Sequence, residues 1–219
     1  YVAGDATACY SDRKCKLALR QFVYVLPDVF VICDRVTSTD PGYRKQWLLH
    51  TQNEPVIDGP QFRADEGDGR LFCRTLLPRD AALTKVGGPG KEFWANGKNW
   101  ELNEEVLKRD AQQREKTGKG MLWGGWRVEV SPGAARTEDV FLHLLQVGDQ
   151  SLPEMVATEV VEEAGQVGVR FAYGGKRMEV WFATTGEPSG RVRVAQDGNA
   201  LIDQELSREV QRQAGLGDG

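Results

Sequence analysis

One short segment of this sequence combines glycine, tryptophan, asparagine and lysine: residues 86–100 read VGGPGKEFWANGKNW. An aromatic ring can stack against the CH face of a sugar, and a planar side-chain amide can bind its hydroxyls. Lysine can pair with a carboxylate or sulfate that the sugar carries. The alternative is that these tryptophans fill the core at strand ends, which is the commoner role of this residue type. The candidate substrate-binding residues in this segment are Lys91, Trp94, Asn96, Lys98 and Trp100.

The chain has two histidines, His50 and His143, and each lies in an apolar, strand-like run. In that setting a histidine is more often a core or edge residue than a base or a metal ligand. His50 is followed by the polar residues TQNE, which could line a cleft, so it is a further, weaker candidate for substrate binding. Neither histidine has the sequence context of a nucleophilic triad, and we predict no catalytic residue.

Metal and cofactor motifs are missing from the sequence. It has no CxxC, HExxH or DxDxDG pattern, and these are arrangements that hold zinc or calcium. We therefore predict that the chain binds no metal and no cofactor. The formal net charge of −4 and the lack of a face rich in lysine and arginine argue against a nucleic-acid partner. No run of about 18 apolar residues exists, so no membrane span is expected.

All four cysteines lie in the first third of the chain: Cys9, Cys15, Cys33 and Cys73. Cys33 and Cys73 belong to the apolar runs VFVICDRV and RLFCRTLL, where a free buried thiol is the expected state. Cys9 and Cys15 flank a turn-rich stretch that is short enough to bring them together. They would form a disulfide only in an oxidising compartment and would otherwise remain thiols.

Strand signals dominate the elements that must position these residues. Residues 17–25 and 29–36 are rich in Val, Phe, Tyr and Ile and are separated by Leu26-Pro27-Asp28, which predicts a β-hairpin. Both runs are nearly continuously apolar, as in strands that are covered on both faces. Further strands are predicted over 44–51, 61–64, 70–77, 82–86, 123–130, 139–147, 155–162, 167–173, 177–184 and 191–195. About ten to fourteen short strands separated by turns predict an all-β sandwich of stacked antiparallel sheets.

Two stretches depart from the strand pattern. Residues 103–120, NEEVLKRDAQQREKTGKG, contain strong helix formers after an asparagine that could cap a helix. They form either a short surface helix, chiefly over 103–113, or a mobile excursion between two strands. Residues 201–206 fit either a last strand or a helix. We expect one domain over residues 1–210, with a possible internal division near 100–120, and a frayed tail over 211–219.

Seven segments resemble, in the same order, segments of heparinase II/III-like proteins: YVAGDATACYS, RQFVYVLPDVFVICDRV, WLLHTQNEP, GRLFCRTLLPRDA, GGPGKEFW, WRVEVSP and DVFLHLLQVGD. The resemblance is good over residues 1–150 and looser beyond them. No single segment is a catalytic signature, so the specificity comes from their number and order. The resemblance implies a C-terminal stack of antiparallel β-sheets whose partner is an N-terminal α/α toroid in the same protein.

The resemblance also implies a function. Members of this family cleave uronic-acid-containing polysaccharides such as heparin and heparan sulfate by β-elimination, in the periplasm or outside the cell. A base removes the C5 proton, a tyrosine or histidine acts as the acid, and a polar group or cation neutralises the carboxylate. The family's catalytic and zinc-binding positions are expected to precede Tyr1, so none is assigned to this chain, which has no initiator Met.

Two interpretations of the chain follow. It is expected to be the C-terminal β-sandwich fragment of a polysaccharide lyase, which completes the fold or one wall of the cleft for an acidic polysaccharide. The alternative is a free-standing, non-catalytic carbohydrate-binding module. A long helical segment upstream in the reading frame would distinguish the first from the second.

Overall fold

The computed structural model describes residues 1–118, 121 and 123–206. Strands dominate this part of the chain, interrupted by the helix α1 (Glu104–Thr117) and by a 3-10 turn over Thr7–Cys9. In chain order the strands are β1 (Val2–Asp5), β2 (Cys15–Val25), β3 (Val29–Ser38), β4 (Trp47–Thr51), β5 (Val56–Asp58), β6 (Gln61–Glu66), β7 (Gly69–Leu77), β8 (Ala82–Gly87), β9 (Trp94–Ala95), β10 (Lys98–Asn99), β11 (Trp126–Ser131), β12 (Glu138–Asp149), β13 (Thr158–Glu163), β14 (Gln166–Tyr173), β15 (Lys176–Ala183), β16 (Gly190–Gln196) and β17 (Asn199–Glu205).

The strands form stacked antiparallel sheets. Seven of them make a central sheet in the order β1-β2-β3-β12-β7-β6-β5. A small sheet, β4-β11-β8, packs on one face of the central sheet, and a C-terminal sheet, β13-β14-β15-β16-β17, packs on the other. Strands β9 and β10 form a separate two-stranded hairpin. The predicted all-β stack of antiparallel sheets is therefore confirmed.

The described residues contain seventeen strands, which is more than the expected number of about ten to fourteen. The strands that sequence analysis missed have only two to four residues each: β1, β5, β9 and β10. Such a strand places at most two residues on each face, so its sequence is too short to show the alternation of apolar and polar residues that indicates a strand. The ambiguous C-terminal stretch is a strand, β17. The expected frayed tail, residues 211–219, lies outside the described residues.

The hairpin across Pro27-Asp28 consists of β2 and β3 and lies inside the central sheet. One face of β3, with Val29, Val31 and Cys33, contributes to the core that the central sheet shares with the C-terminal sheet. Its other face contributes Ile32 to the core shared with the small sheet. Because water is excluded from both faces, an almost unbroken apolar run is favourable in this position. The prediction of a hairpin covered on both faces is therefore confirmed for β3, but β2 is fully covered on one face only, since Arg20 and Tyr24 on its other face are exposed.

Helix α1 is an exposed insertion between β10 and β11. Asn103 caps it, because its Oδ1 accepts a hydrogen bond of 2.9 Å from the backbone N–H three residues further on. None of its residues is buried, and pairs one turn apart, such as Asp110 with Arg114 at 2.7 Å, support it instead. These pairs carry the helix past the expected end at 113 to Thr117. It ends at Gly118, whose φ of 71° is left-handed.

Candidate saccharide-binding site

The tryptophan-rich segment leaves β8 and folds into the hairpin β9–β10, in which Asn99 pairs with Trp94. The two turn residues, Asn96 and Gly97, have φ values of 53° and 82°. Two successive positive φ angles are typical of a type I′ turn, which Asn-Gly favours because both residues tolerate that conformation. Asn96 is exposed at the tip of the hairpin. We call residues 91–100 the tryptophan loop.

Hydrogen bonds and ring contacts hold the tryptophan loop in place. Arg127 of β11 donates from Nη1 to the backbone oxygen of Trp94 at 2.9 Å, which attaches the loop to the small sheet. The side-chain oxygen of Asn99 accepts from the N–H of Phe93 at 2.8 Å. The Phe93 ring meets Trp123 edge to face, with centroids 5.8 Å apart. The loop is thus positioned before any ligand arrives, which reduces the entropic cost of binding.

Two lysine–tryptophan pairs shape the surface of the tryptophan loop. Lys98 Nζ lies 3.6 Å from the ring centroid of Trp100, and Lys91 Nζ lies 5.6 Å from that of Trp94. Trp100 is 49% exposed, and its Nε1 donates to the backbone oxygen of Ala95 at 3.0 Å. Trp94 is half-buried. The Lys98 ammonium group therefore lies over one face of the Trp100 ring. Both groups reach solvent, and a sugar could stack on the ring surface that Lys98 leaves open.

The alternative role for these tryptophans was to fill the core. Trp47 and Trp181 do so, at 3% and 4% exposure. Trp94 and Trp100 belong to neither of the two buried cores. Their rings therefore keep surface that a ligand can reach, and Trp100 keeps more of it than Trp94.

His50 lies on β4, directly opposite Arg127 of β11. It is exposed, and Gly124 passes so close that a Cβ atom added there would lie 3.0 Å from the Cβ of His50. Partial burial and the positive charge of Arg127 lower the pKa of His50, so its imidazole is neutral at pH 7. Arg127 also donates to the backbone oxygen of Trp94. His50 and the tryptophan loop are therefore both neighbours of Arg127.

His143 cannot reach a substrate. It is fully buried on β12 and stacks on Trp47 with ring centroids 3.9 Å apart. Its Nδ1 lies 3.2 Å from Thr75 Oγ1. Burial lowers the pKa of His143 to about 3. The prediction that His143 belongs to the core is confirmed.

The four cysteines are free thiols. Cys33 and Cys73 are buried, as expected, and burial raises the pKa of both. Cys9 is exposed and Cys15 is half-buried. The Sγ of Cys15 donates to the backbone oxygen of Leu17 at 3.3 Å. Of the two states left open for Cys9 and Cys15, the structure has the unbridged one.

Sequence reasoning missed a groove of about 670 Å³ that is lined in part by Trp47 of β4 and the residues just before it. Its side chains include Tyr10, Lys14, Arg20, Tyr43 and Arg44. The local signal was weak: Tyr10 and Lys14 border the cysteine-flanked turn, where only disulfide chemistry was considered. No local pattern connects them with Tyr43 and Arg44, since the two segments meet only in the folded chain.

No protein-family model matches the chain, and no curated protein matches its sequence. In residues 1–118, 121 and 123–206, no group of three or more His, Cys, Asp or Glu side chains could hold a metal ion. No helix in the same residues is long and apolar enough to cross a membrane. A functional assignment therefore depends on the residues and geometry described above and on the segments quoted from the sequence.

Proposed function

We propose that the chain is the C-terminal β portion of a heparinase II/III-like polysaccharide lyase, and that it binds the acidic polysaccharide without performing β-elimination. The observation that carries this proposal is the exposed pair of Trp100 and Lys98, with Nζ 3.6 Å from the ring centroid, on a loop held by its own hydrogen bonds. A uronate polymer offers a CH face for the ring and a carboxylate or sulfate for the ammonium group. The order of the seven resembling segments supports the choice of family.

The two kinds of group contribute unequally to binding. Lys91 and Lys98 are exposed, so their attraction for an anion is weak and is screened by salt. The ring of Trp100 excludes water from the contact face and is insensitive to salt. Most of the affinity should therefore depend on the ring, while the lysines select an acidic chain over a neutral one. Asn96, at the exposed tip, is placed to bind hydroxyls.

In this proposal the base and acid of β-elimination belong to another part of the enzyme. His143 is 0% exposed and cannot touch a polymer. His50 is exposed and neutral at pH 7, and it lies beside Arg127. We assign it a hydroxyl-binding role at the edge of the site. A long helical segment upstream, the α/α toroid, would complete the cleft in the periplasm or outside the cell.

A free-standing carbohydrate-binding module would use the same loop. The two proposals differ in the reading frame around the chain: a toroid-sized helical segment upstream supports the lyase, and a frame without one supports the module. Purified chain should release no unsaturated uronate, detected by its ultraviolet absorbance, from heparin or heparan sulfate. Measurable turnover by the chain alone would contradict the non-catalytic role.

The binding role is tested with two substitutions at one position. Trp100→Ala removes the ring, whereas Trp100→Phe keeps a smaller ring face and removes the hydrogen bond to Ala95. In calorimetric titrations with heparin or heparan sulfate oligosaccharides, Trp100→Ala should weaken binding about fivefold to tenfold. Trp100→Phe should retain most of the affinity. Thermal midpoints should change little in both variants, because the ring is 49% exposed.

Equal affinity of Trp100→Ala and the original chain would contradict a role for the ring in binding. A large loss of thermal stability in Trp100→Ala would instead show that Trp100 supports the fold. No binding of any acidic oligosaccharide by the original chain would reject the proposed function.

A further inference from the structure

The groove noted above lies between two segments that are distant in sequence. Tyr10 and Lys14 of the first segment, Tyr43 and Arg44 of the second, and Arg20 of β2 all contribute to its lining. Its volume is about 670 Å³, which is within the usual range for small-ligand sites. None of these residues belongs to the tryptophan loop, so the groove is a separate candidate site.

Two of the cations around the groove are already neutralised. Lys45 pairs with Asp139 at 3.1 Å, and both side chains are buried. Arg20 forms a bidentate pair with Asp34, with both contacts at 2.7 Å. That pair uses Nε and Nη2 of Arg20, so Nη1 can still donate to a ligand. These pairs make a rigid, charge-balanced floor for the groove.

The remaining cations are exposed at the opening of the groove. Lys14 is exposed and its Nζ lies over the Tyr43 ring, 5.5 Å from the centroid. The side chain of Arg44 is 68% exposed and has one ion pair, 3.1 Å from Glu129. Arg20, Arg44 and Lys45 each pair with one carboxylate. Lys14 pairs with none of these, so it gives the groove one positive charge in excess. In a chain of net charge −4, this local excess favours an anionic ligand.

Two tyrosines flank these cations. Tyr10 is 60% exposed and Tyr43 is 39% exposed. Exposure of two large rings in the lining of one groove, one of them under a lysine, is not explained by core packing. A ring face beside an ammonium group is the same combination that Trp100 and Lys98 present on the tryptophan loop. The groove therefore fits a ligand with both an apolar face and a negative group.

Both sides of the groove are fixed by backbone hydrogen bonds. The turn before β2 is closed by Lys14 N–H donating to Ser11 O at 2.9 Å. It is also bound to the residue that follows β3, because Thr39 N–H donates to Lys14 O at 3.0 Å. On the other side, Tyr43 N–H donates to Asp40 O at 3.1 Å. Binding would thus order few groups, and preorganisation of this kind favours affinity.

A continuous set of contacts connects the groove with the tryptophan loop. Glu129 of β11 binds Arg44 at 3.1 Å and Arg127 at 2.6 Å, and Arg127 donates to the backbone oxygen of Trp94. One oligosaccharide could extend past both sites.

We propose that the groove binds a carboxylate- or sulfate-bearing saccharide unit, with Lys14 and Arg44 holding the anion and Tyr10 and Tyr43 flanking the sugar ring. The site itself is inferred from the groove, but the choice of a uronate polymer as ligand rests on the proposed function. Neighbouring units of the same polymer would occupy the groove and the tryptophan loop.

A matched pair of charge reversals tests the groove. Lys14→Glu places a negative charge at its opening, whereas Lys16→Glu makes the same change two residues away, at an exposed position outside the lining. In calorimetric titration of the 219-residue chain with a heparin-derived oligosaccharide of defined length, Lys14→Glu should weaken binding about tenfold. Lys16→Glu should weaken it about twofold or less, through long-range charge alone. Thermal midpoints verify that both variants fold.

Because Lys14→Glu could also change the turn that carries Lys14, a second variant tests the groove without altering that turn. Arg44→Gln removes a second exposed cation of the groove, on a segment distant in sequence from Lys14, and should weaken binding about fivefold. Inorganic sulfate, titrated as a competitor, should displace the oligosaccharide poorly. Displacement by sulfate at equal concentration would show a simple anion site and overturn the saccharide proposal.

The outcomes separate this proposal from the function of the loop. Equal weakening of binding by Lys14→Glu and Lys16→Glu would show that only nonspecific charge attraction is involved, and it would overturn the groove proposal. If neither reversal matters but Trp100→Ala weakens binding, the groove proposal fails and the proposed function stands. If Lys14→Glu weakens binding and Trp100→Ala does not, the groove stands and the loop assignment fails. Absence of binding by the original chain overturns both.

Discussion

Mild acid should destabilise this fold through His143. Its imidazole is fully buried and burial lowers its pKa from 6.5 to about 3. Below pH 6.5 the unfolded chain takes up a proton at this histidine while the folded chain does not. The unfolded state therefore binds more protons, and stability falls as the pH falls through the range between the two pKa values.

The size of the effect follows from the interval between those pKa values. Each pH unit within it costs about 1.4 kcal/mol of unfolding free energy. The unfolded histidine is only half protonated at pH 6.5, so acidification from about pH 6.5 to pH 4.5 should remove about 2.3 kcal/mol, a large part of the stability of a typical domain. Carboxylates whose pKa is lowered by an arginine, such as Asp65 and Asp203, lose their stabilisation only at lower pH. Asp34, whose pKa is raised by burial, gains protons in the folded chain at higher pH than a free aspartate and opposes this trend. The histidine variants below, rather than the pH range alone, therefore assign the effect.

Urea unfolding at half-unit pH steps measures how the unfolding free energy changes with pH. Two histidine variants then show which histidine causes this slope. His143→Gln keeps a polar, hydrogen-bonding side chain beside Thr75 but cannot titrate, so its stability should be nearly constant over the window. His50→Gln should retain the slope of the original chain, because His50 is exposed and its pKa is only partly lowered by burial. An undiminished slope in His143→Gln would refute this reasoning.

Two further predictions concern packing and thiol exposure. Gly168→Ala should cost about 1–3 kcal/mol or more in urea unfolding, since an added Cβ would lie 2.2 Å from a backbone oxygen of the adjacent strand. Gly4→Ala is the control, with nothing within 4 Å of the added atom, and equal stability of the two variants would contradict the prediction. Cys9, which is exposed, should react with a thiol reagent in the native chain, whereas Cys33 and Cys73 should react only on unfolding; fast labelling of either buried thiol would contradict their placement in the core.

The elements that sequence analysis identified are those whose signals are local. Proline and aspartate at 27–28 stop one apolar run and start another, so the β2–β3 hairpin is readable from a single stretch. Asn103 before a run of helix formers marks the start of α1 for the same reason. Strands of two to four residues, such as β9 (Trp94–Ala95), carry no alternation and were missed.

The candidate site was predicted in part. The residue types of the tryptophan loop were visible because they lie within fifteen consecutive residues, 86–100. Its attachment through Arg127 was not visible, since that bond joins residues 33 positions apart. The burial of His143 followed from its apolar neighbours, but its stacking on Trp47 depends on the packing of the small sheet on the central sheet.

By itself, the sequence determined the all-β class, the central hairpin and the composition of the tryptophan loop, because periodicity, turn residues and residue type act over a few positions. Only the tertiary structure decided that β12 pairs between β3 and β7, and that Arg44 meets Glu129 at a separation of 85 residues. It likewise decided that Lys14 lies over Tyr43 to form the groove. Such contacts depend on which strands pair and in what register, and these are set by burial of the whole core rather than by any local pattern.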